Sequence, residues 1–213
     1  QVYNDAHGAS LSLLSTFLRE MSALFPDQLF HLGCDETSVV GPCSLSSTAD
    51  LESKLFAQTM QSFNKTPVAW EEALFDTNSA VPGTVINAWS RYMATDVVAK
   101  GYKAIESHSG WFYLNHVPIP FTTLWQDIGP KLSPSERELL LGGEISMWTD
   151  DFCTYTQCYE TSSKPVGHAL FPPTMDAEFT SAVIGIVYPR GLVGAGSFYR
   201  YDASVDPTSM DFL

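Results

Sequence analysis

The stretch FHLGCDET, residues 30–37, runs from apolar residues through a glycine and a cysteine into two adjacent acids, Asp35 and Glu36. Two neighbouring carboxylates both ionise at neutral pH when exposed. Partly buried, one raises the pKa of the other and can keep it protonated for use as a general acid. The plainer reading of an isolated Asp-Glu pair is a helix cap or a surface pair. Trp70, Trp89 and Trp148 bear on that choice, because each falls at the end of a short apolar, strand-like segment. Aromatic side chains gathered at one mouth form a pocket suited to a sugar or an acyl group, with flat apolar faces and few polar demands. Any one of these tryptophans alone would be read as core. Three of them at strand ends beside two acids favour the pocket.

The remaining polar candidates read more plainly. Glu71 and Glu72 follow Trp70, and one is expected to be an internal hydrogen-bonding partner and the other a surface residue. Glu144, in the GGE sequence, reads as a buried structural acid, and His31 as a satisfied core histidine rather than a base. His7, His108, His116 and His168 lack metal-ligand spacing, so Asp35 and Glu36 as metal ligands are the weakest alternative, and no cofactor or metal is expected.

These side chains must be carried by alternating elements. Leu11, Leu14, Leu18, Met21 and Phe25 recur at three- and four-residue intervals, which predicts a helix packed on one side and stopped by Pro26-Asp27. Residues 29–33 read as a strand buried on both faces, with the acids at its C-terminal end. Leu51, Leu55, Phe56, Met60 and Phe63 predict a second helix, followed by strands at 67–70, 84–89, 103–107 and 139–144 and by helical stretches near 93–100 and 134–139. Alternation of strand and helix implies parallel strands with crossover helices. A doubly wound sheet would favour a glycine-rich phosphate turn, and neither GxGxxG nor GxxxxGK[ST] occurs. A (β/α)8 barrel instead gathers functional residues at the C-terminal ends of several strands, which is the distribution here. The fold expected is therefore α/β, a (β/α)8 TIM barrel lacking its first strands, with about five parallel strands in 213 residues. No repeat or long linker divides the chain, so residues 1–213 are expected to form a single domain.

Composition narrows the function classes. A formal net charge of -13, with scattered Lys and Arg, leaves no basic stripe to neutralise phosphates, which argues against nucleic acid. No apolar run approaches the roughly 20 residues of a membrane span. Four cysteines, Cys34, Cys43, Cys153 and Cys158, form no CxxC pair. Cys153 and Cys158 flank TYTQ, a spacing open both to a small disulfide loop and to free thiols. Asn64-Lys65-Thr66 is a glycosylation sequon, in keeping with a secretory route.

HLGCDET resembles the H-x-G-G-D-E signature of the family-twenty glycoside hydrolases, the β-N-acetylhexosaminidases, and VAWEE, VINAW, WFYLN and LLLGGEISMW follow in a similar order. The resemblance implies that the chain is the C-terminal portion of a catalytic barrel of a retaining exo-β-N-acetylhexosaminidase. Such an enzyme removes terminal β-linked GlcNAc or GalNAc from glycans, glycoconjugates or chitin oligomers. By the same resemblance Glu36 is the general acid/base, and Asp35 holds the acetamido N–H and stabilises the charge that develops as the acetamido oxygen attacks the anomeric carbon. Tyr113 aims that oxygen. Trp70, Trp89 and Trp148 wall the pocket, Asn115 and Asp150 bond the outer hydroxyls, and Trp125 is a further aromatic on a preceding loop. Because the nucleophile belongs to the substrate, two facing carboxylates are not required, an exception to the usual glycosidase arrangement. The partners implied are a carbohydrate with a terminal N-acetylhexosamine and, as an assembly, a homodimer; the implied location is lysosomal or secreted.

Three departures qualify the match. Cys34 replaces the second glycine of the signature, and its Cβ disfavours a positive φ. Asp150 stands where the family has glutamate, one methylene longer. The family's arginine from the first strand, with an aspartate and a histidine from early loops, has no counterpart in these residues. A catalytically impaired glycan-binding or structural relative is the alternative reading.

Overall fold

A computed structural model describes residues 2–114, 119–148 and 177–207. The chain clusters into two compact units, residues 1–105 with 131–141 and residues 106–130 with 142–213.

In the first unit the short strand β1 (Val2–Tyr3) leads into α1 (Ala9–Leu24). The Asp5 carboxylate accepts the Ala9 and Ser10 N–H groups at 2.9 and 2.7 Å, which satisfies donors that the first turn leaves unpaired. Leu11, Leu14 and Leu18 of the predicted stripe pack against Val2, Leu45, Leu51 and Leu55, whereas Phe25 is exposed. β2 (Leu29–His31) follows, then β3 (Val39–Val40), which pairs in parallel with β1. α2 (Thr48–Ser62) starts at Ser47, whose hydroxyl accepts the Asp50 N–H at 3.1 Å. The principal strands then come in turn: β4 (Thr66–Trp70), β5 (Val85–Ala88), β6 (Lys103–Glu106) and β7 (Leu140–Gly143). α3 (Glu72–Phe75) lies between β4 and β5, and α4 (Ala94–Ala99) between β5 and β6.

The five-stranded sheet has the order β2-β4-β5-β6-β7, with β4 parallel to both β2 and β5. Its order follows the chain without reversal, so it has no topological switch point, as a barrel requires and a doubly wound sheet does not allow. β5 is buried throughout, and α4 covers it through Ala94, Val97 and Val98 against Ile86 and Ala88.

β2 departs from expectation. It was expected to be buried on both faces, yet Leu29 is 45 % exposed and His31 is exposed. The reason is position: β2 is an edge strand, paired only with β4 among the described residues.

The second unit carries the single-turn helices α5 (Ser109–Phe112) and α6 (Phe121–Leu124) and the long α8 (Ala177–Arg200). The helix expected near 134–139 is one turn, α7 (Pro134–Arg137), and belongs to the first unit. Phe112, Leu114, Ile119, Leu124, Trp125 and Val193 form the core of the second unit. Gly194 lets α8 approach that core, because a Cβ there would lie 2.5 Å from Ile145. α8, β1 and β3 have no counterpart in the sequence-based expectation.

Candidate active site

Asp35 and Glu36 sit on a strained turn just beyond the C-terminal end of β2. Three of the four residues 33–36 have positive φ: Gly33 at 75°, Cys34 at 72° and Glu36 at 48°. Glycine adopts this region freely, whereas an L-residue with a Cβ pays roughly 1 kcal/mol or more. Compensating contacts are visible. The Gly33 N–H donates to His31 Nδ1 at 3.0 Å, and the Gly33 carbonyl accepts the Trp70 N–H at 3.0 Å, tying the turn to the end of β4. Cys34 turns inward, 8 % exposed, among Phe56, Ala69 and Ala73, and its thiol donates weakly to the Leu32 carbonyl at 3.8 Å. Burial, reinforced by the negative charges of Glu52, Asp35 and Glu72, pushes that thiol up to about 12. Cys34 therefore takes the positive φ that glycine would supply and serves as a small buried hydrophobe, inert as a nucleophile. The acids that follow it are exposed.

Trp70 closes β4 and is buried; Trp89 follows β5 directly and is half-buried. Their rings meet edge to face, with centroids 6.1 Å apart and planes at 67°. His31 also packs against Trp70, its ring 5.0 Å from that of the tryptophan. It is thus exposed and occupied as an acceptor, not the core histidine expected, because the edge position of β2 leaves that side uncovered.

Of Glu71 and Glu72, one is the internal hydrogen-bonding partner expected, but the other is not the surface residue expected. Glu71 is fully buried and accepts three backbone N–H groups, from Trp89 at 2.8 Å, Ser90 at 3.0 Å and Arg91 at 2.7 Å. Glu72 is half-buried, and both its oxygens lie 3.1 Å from Trp89 Nε1. Burial raises its pKa, the indole N–H pulls it back, and the charges of Glu71 and Asp35 raise it further. Neither acid is a free surface residue. The dipeptide's sequence position straight after a strand-end tryptophan gave no sign of which partner each would take.

In the second unit Tyr113 is buried and bridges in parallel to Ser146. Its ring lies 6.0 Å from that of Trp148, which is 43 % exposed and sits five residues past the end of β7 rather than on it. Trp125 is buried in the core of this unit and donates its indole N–H to the Asp202 carbonyl at 3.0 Å. Glu144 is exposed, contrary to the expectation of a buried acid. A buried acid lies instead at the end of β6, where the Glu106 carboxylate accepts the His108 N–H at 2.9 Å. Sequence reasoning missed Glu106, which ends an ordinary strand pattern with no flanking motif. Asn115, Asp150, Cys153 and Cys158 lie outside the described residues. Among the described residues no group of acids, histidines and cysteines could hold a metal, and Cys34 and Cys43 are free thiols. No helix among them is long and apolar enough to cross a membrane.

Residues 1–161 match the family model described as "Glycosyl hydrolase family 20, catalytic domain". The chain is 32 % identical over 162 residues to Beta-hexosaminidase 1 of Arabidopsis thaliana, an overlap of 65 % of this chain and 29 % of that protein. It is 28 % identical over 172 residues to Beta-hexosaminidase subunit beta of Homo sapiens, covering 68 % and 30 % respectively. Among solved structures it is similar to the GH20 exo beta-N-acetylglucosaminidase of Vibrio harveyi in complex with N-acetylglucosamine. That match has a TM-score of 0.66 at 18 % identity and covers 95 % of this chain and 33 % of that one. The beta-N-acetylhexosaminidase of Bacteroides fragilis is similar too, with a TM-score of 0.63 at 19 % identity over 97 % of this chain and 42 % of that one. At these identities the structures establish a shared fold, an α/β barrel of which this chain forms part. The chain spans about a third of the length of the relatives it matches.

Proposed function

Because the chain belongs to glycosyl hydrolase family 20, we propose that it is part of a retaining exo-β-N-acetylhexosaminidase that hydrolyses terminal β-linked N-acetylhexosamine by substrate-assisted catalysis. The observation that carries this reading is the exposed Asp35–Glu36 pair on a turn with three positive φ angles, fixed to the end of β4 beside Trp70. Strain of this kind is maintained where a side chain must be aimed.

Glu36 donates its proton to the departing glycosidic oxygen. As the C1–O bond breaks, the substrate's acetamido oxygen attacks C1, and Asp35 accepts the acetamido N–H and balances the positive charge of the oxazolinium formed. Glu36, now a carboxylate, takes a proton from water as that water opens the ring, so the sugar leaves with retained configuration. Holding the nucleophile against C1 is a proximity effect, and this reading gives the Tyr113 hydroxyl that task through a hydrogen bond to the acetamido oxygen. Trp70, Trp89 and Trp148 supply apolar faces for the acetamido methyl and the sugar ring. Asn115 and Asp150 take the outer hydroxyls. Trp125, with its N–H already engaged, contributes through whatever ring face a sugar can reach.

The substrate class is a glycan, glycoconjugate or chitin oligomer ending in GlcNAc or GalNAc. A lysosomal or secreted location suits the low pI of about 4.5 and the sequon at Asn64, an exposed residue just after α2 that is available for glycosylation. A non-hydrolysing glycan-binding relative is the second reading, favoured by Cys34 at a φ of 72° in the signature turn. The test uses the full-length protein with p-nitrophenyl N-acetyl-β-glucosaminide and the matching β-glucoside, which lacks the acetamido group. Hydrolysis of the first alone, blocked by an acetamido-thiazoline mimic of the intermediate, is expected. Equal hydrolysis of both substrates overturns substrate assistance, and binding of the thiazoline without turnover selects the second reading.

A further inference from the structure

Trp89 is held from two directions by two consecutive acids. Its main chain and that of the next two residues converge on Glu71, whose Oε2 accepts the Trp89 and Ser90 N–H groups and whose Oε1 accepts that of Arg91. Its indole N–H points between both oxygens of Glu72, 3.1 Å from each. The edge-to-face contact with Trp70 leaves the ring little freedom to turn about its own axis. Both acids emerge at the start of α3, immediately after Trp70, so the short segment that follows β4 holds the tryptophan that follows β5.

We propose that Glu72 is a positioning residue that fixes the rotation of the Trp89 indole, while Glu71 anchors the backbone beneath it, so that a bound sugar meets the carbon face of Trp89 and not its N–H edge. This rests on the reading of Trp89 as a wall of the sugar site. An N–H committed to a carboxylate cannot be offered to a ligand, so this wall discriminates by shape and apolar contact rather than by hydrogen bonding. The state of Glu72 supports the arrangement: burial favours its neutral form and the indole N–H favours the carboxylate, so the bond is made against a desolvation penalty.

The test uses the full-length protein and three measurements. Glu72→Ala lowers kcat/KM for p-nitrophenyl N-acetyl-β-glucosaminide by about 10- to 100-fold, the loss expected when one hydrogen bond to a charged group no longer orients a binding wall. Glu72→Gln, whose amide oxygen accepts the same N–H, recovers activity to within about threefold of wild type, a rescue that the proposal requires. In a Trp89→Phe background, which has no indole N–H, Glu72→Ala adds less than about twofold, because coupled residues are not additive. Independently of activity and of how the variants fold, the Trp89 indole N–H of the wild type exchanges slowly with solvent. An N–H exchanging as fast as a free indole, full additivity with Trp89→Phe, or equal losses in the Ala and Gln variants would each overturn the proposal. Failure of the wild type to hydrolyse the substrate would instead count against the hexosaminidase reading, and the exchange measurement would still decide the positioning claim.

Discussion

Replacing Glu71 by alanine removes at once the side-chain acceptor of three backbone N–H groups. Glu71 is fully buried and takes the N–H groups of Trp89, Ser90 and Arg91 at 2.7 to 3.0 Å. A donor left without its partner costs about 1 to 3 kcal/mol, so three of them at about 1.5 kcal/mol each cost about 4 to 5 kcal/mol. With a urea dependence of about 2 kcal/mol per M, the unfolding midpoint falls by about 2 M. Glu71→Gln discriminates further. An amide oxygen placed at the Oε2 position keeps the Trp89 and Ser90 bonds, but the amide NH2 then faces the Arg91 N–H. One bond is lost to a donor–donor contact, and the cost falls to about 2 kcal/mol. Urea titration of the full-length protein, followed by far-UV circular dichroism, measures both variants. A Glu71→Ala protein within about 1 kcal/mol of wild type would refute the view that these three N–H groups depend on Glu71.

Cys34 at a φ of 72° predicts a reversed order of substitutions: Cys34→Gly is more stable than Cys34→Ala by about 1 kcal/mol, because both lose the buried thiol and only glycine relieves the positive φ; equal stabilities in thermal unfolding would contradict this. The same burial, with the thiol pushed up to about 12, leaves Cys34 unmodified by iodoacetamide at pH 8 in the native protein and modified in urea, as peptide mass spectrometry would show. Glu72 sets a pH dependence. Its native pKa lies above the ordinary 4.5, so the native state holds its proton more tightly than the unfolded state. Its contribution to stability is therefore fully present below 4.5 and is lost as pH rises through the raised native value. Wild type thus loses stability relative to Glu72→Gln across that interval, and a difference independent of pH would contradict it.

Periodicity made the longer helices and the principal strands of the first unit legible, but not the two-residue strands β1 and β3. The Leu11, Leu14 and Leu18 stripe marked α1 because a helix buries one face, and β4 and β5 read as strands because both of their faces are covered. β2 reads identically in sequence, yet its exposure follows from an edge position that no short apolar run records. α8 was hidden for a different reason. Pro189, Gly191, Gly194 and Gly196 depress helix propensity, and the helix forms where close approach to Ile145 and Leu124 makes a small residue useful. At the candidate site the acids, the tryptophans and Tyr113 could be named because they lie in motifs with a recognised order. The supports were legible only in part, since one internal partner was expected of Glu71 and Glu72 without its donors, and Glu106 was missed. Glu71, Glu72 and Glu106 act on backbone or indole N–H groups that folding brings to them, two of those partnerships across 17 to 20 residues of chain. His31 and Glu144 were misjudged because burial was inferred from apolar neighbours in sequence rather than from the strands beside them.

The central claim is that Glu36 carries the proton. Steady-state hydrolysis of p-nitrophenyl N-acetyl-β-glucosaminide and of an unactivated N-acetylglucosamine disaccharide by the full-length protein, with Glu36→Gln alongside, tests it most directly. General acid–base catalysis is worth about 10²- to 10⁴-fold, so the variant should fall by that factor on the disaccharide and by less on the aryl glycoside, whose leaving group needs little protonation. Equal rates for wild type and Glu36→Gln on the disaccharide would contradict the claim.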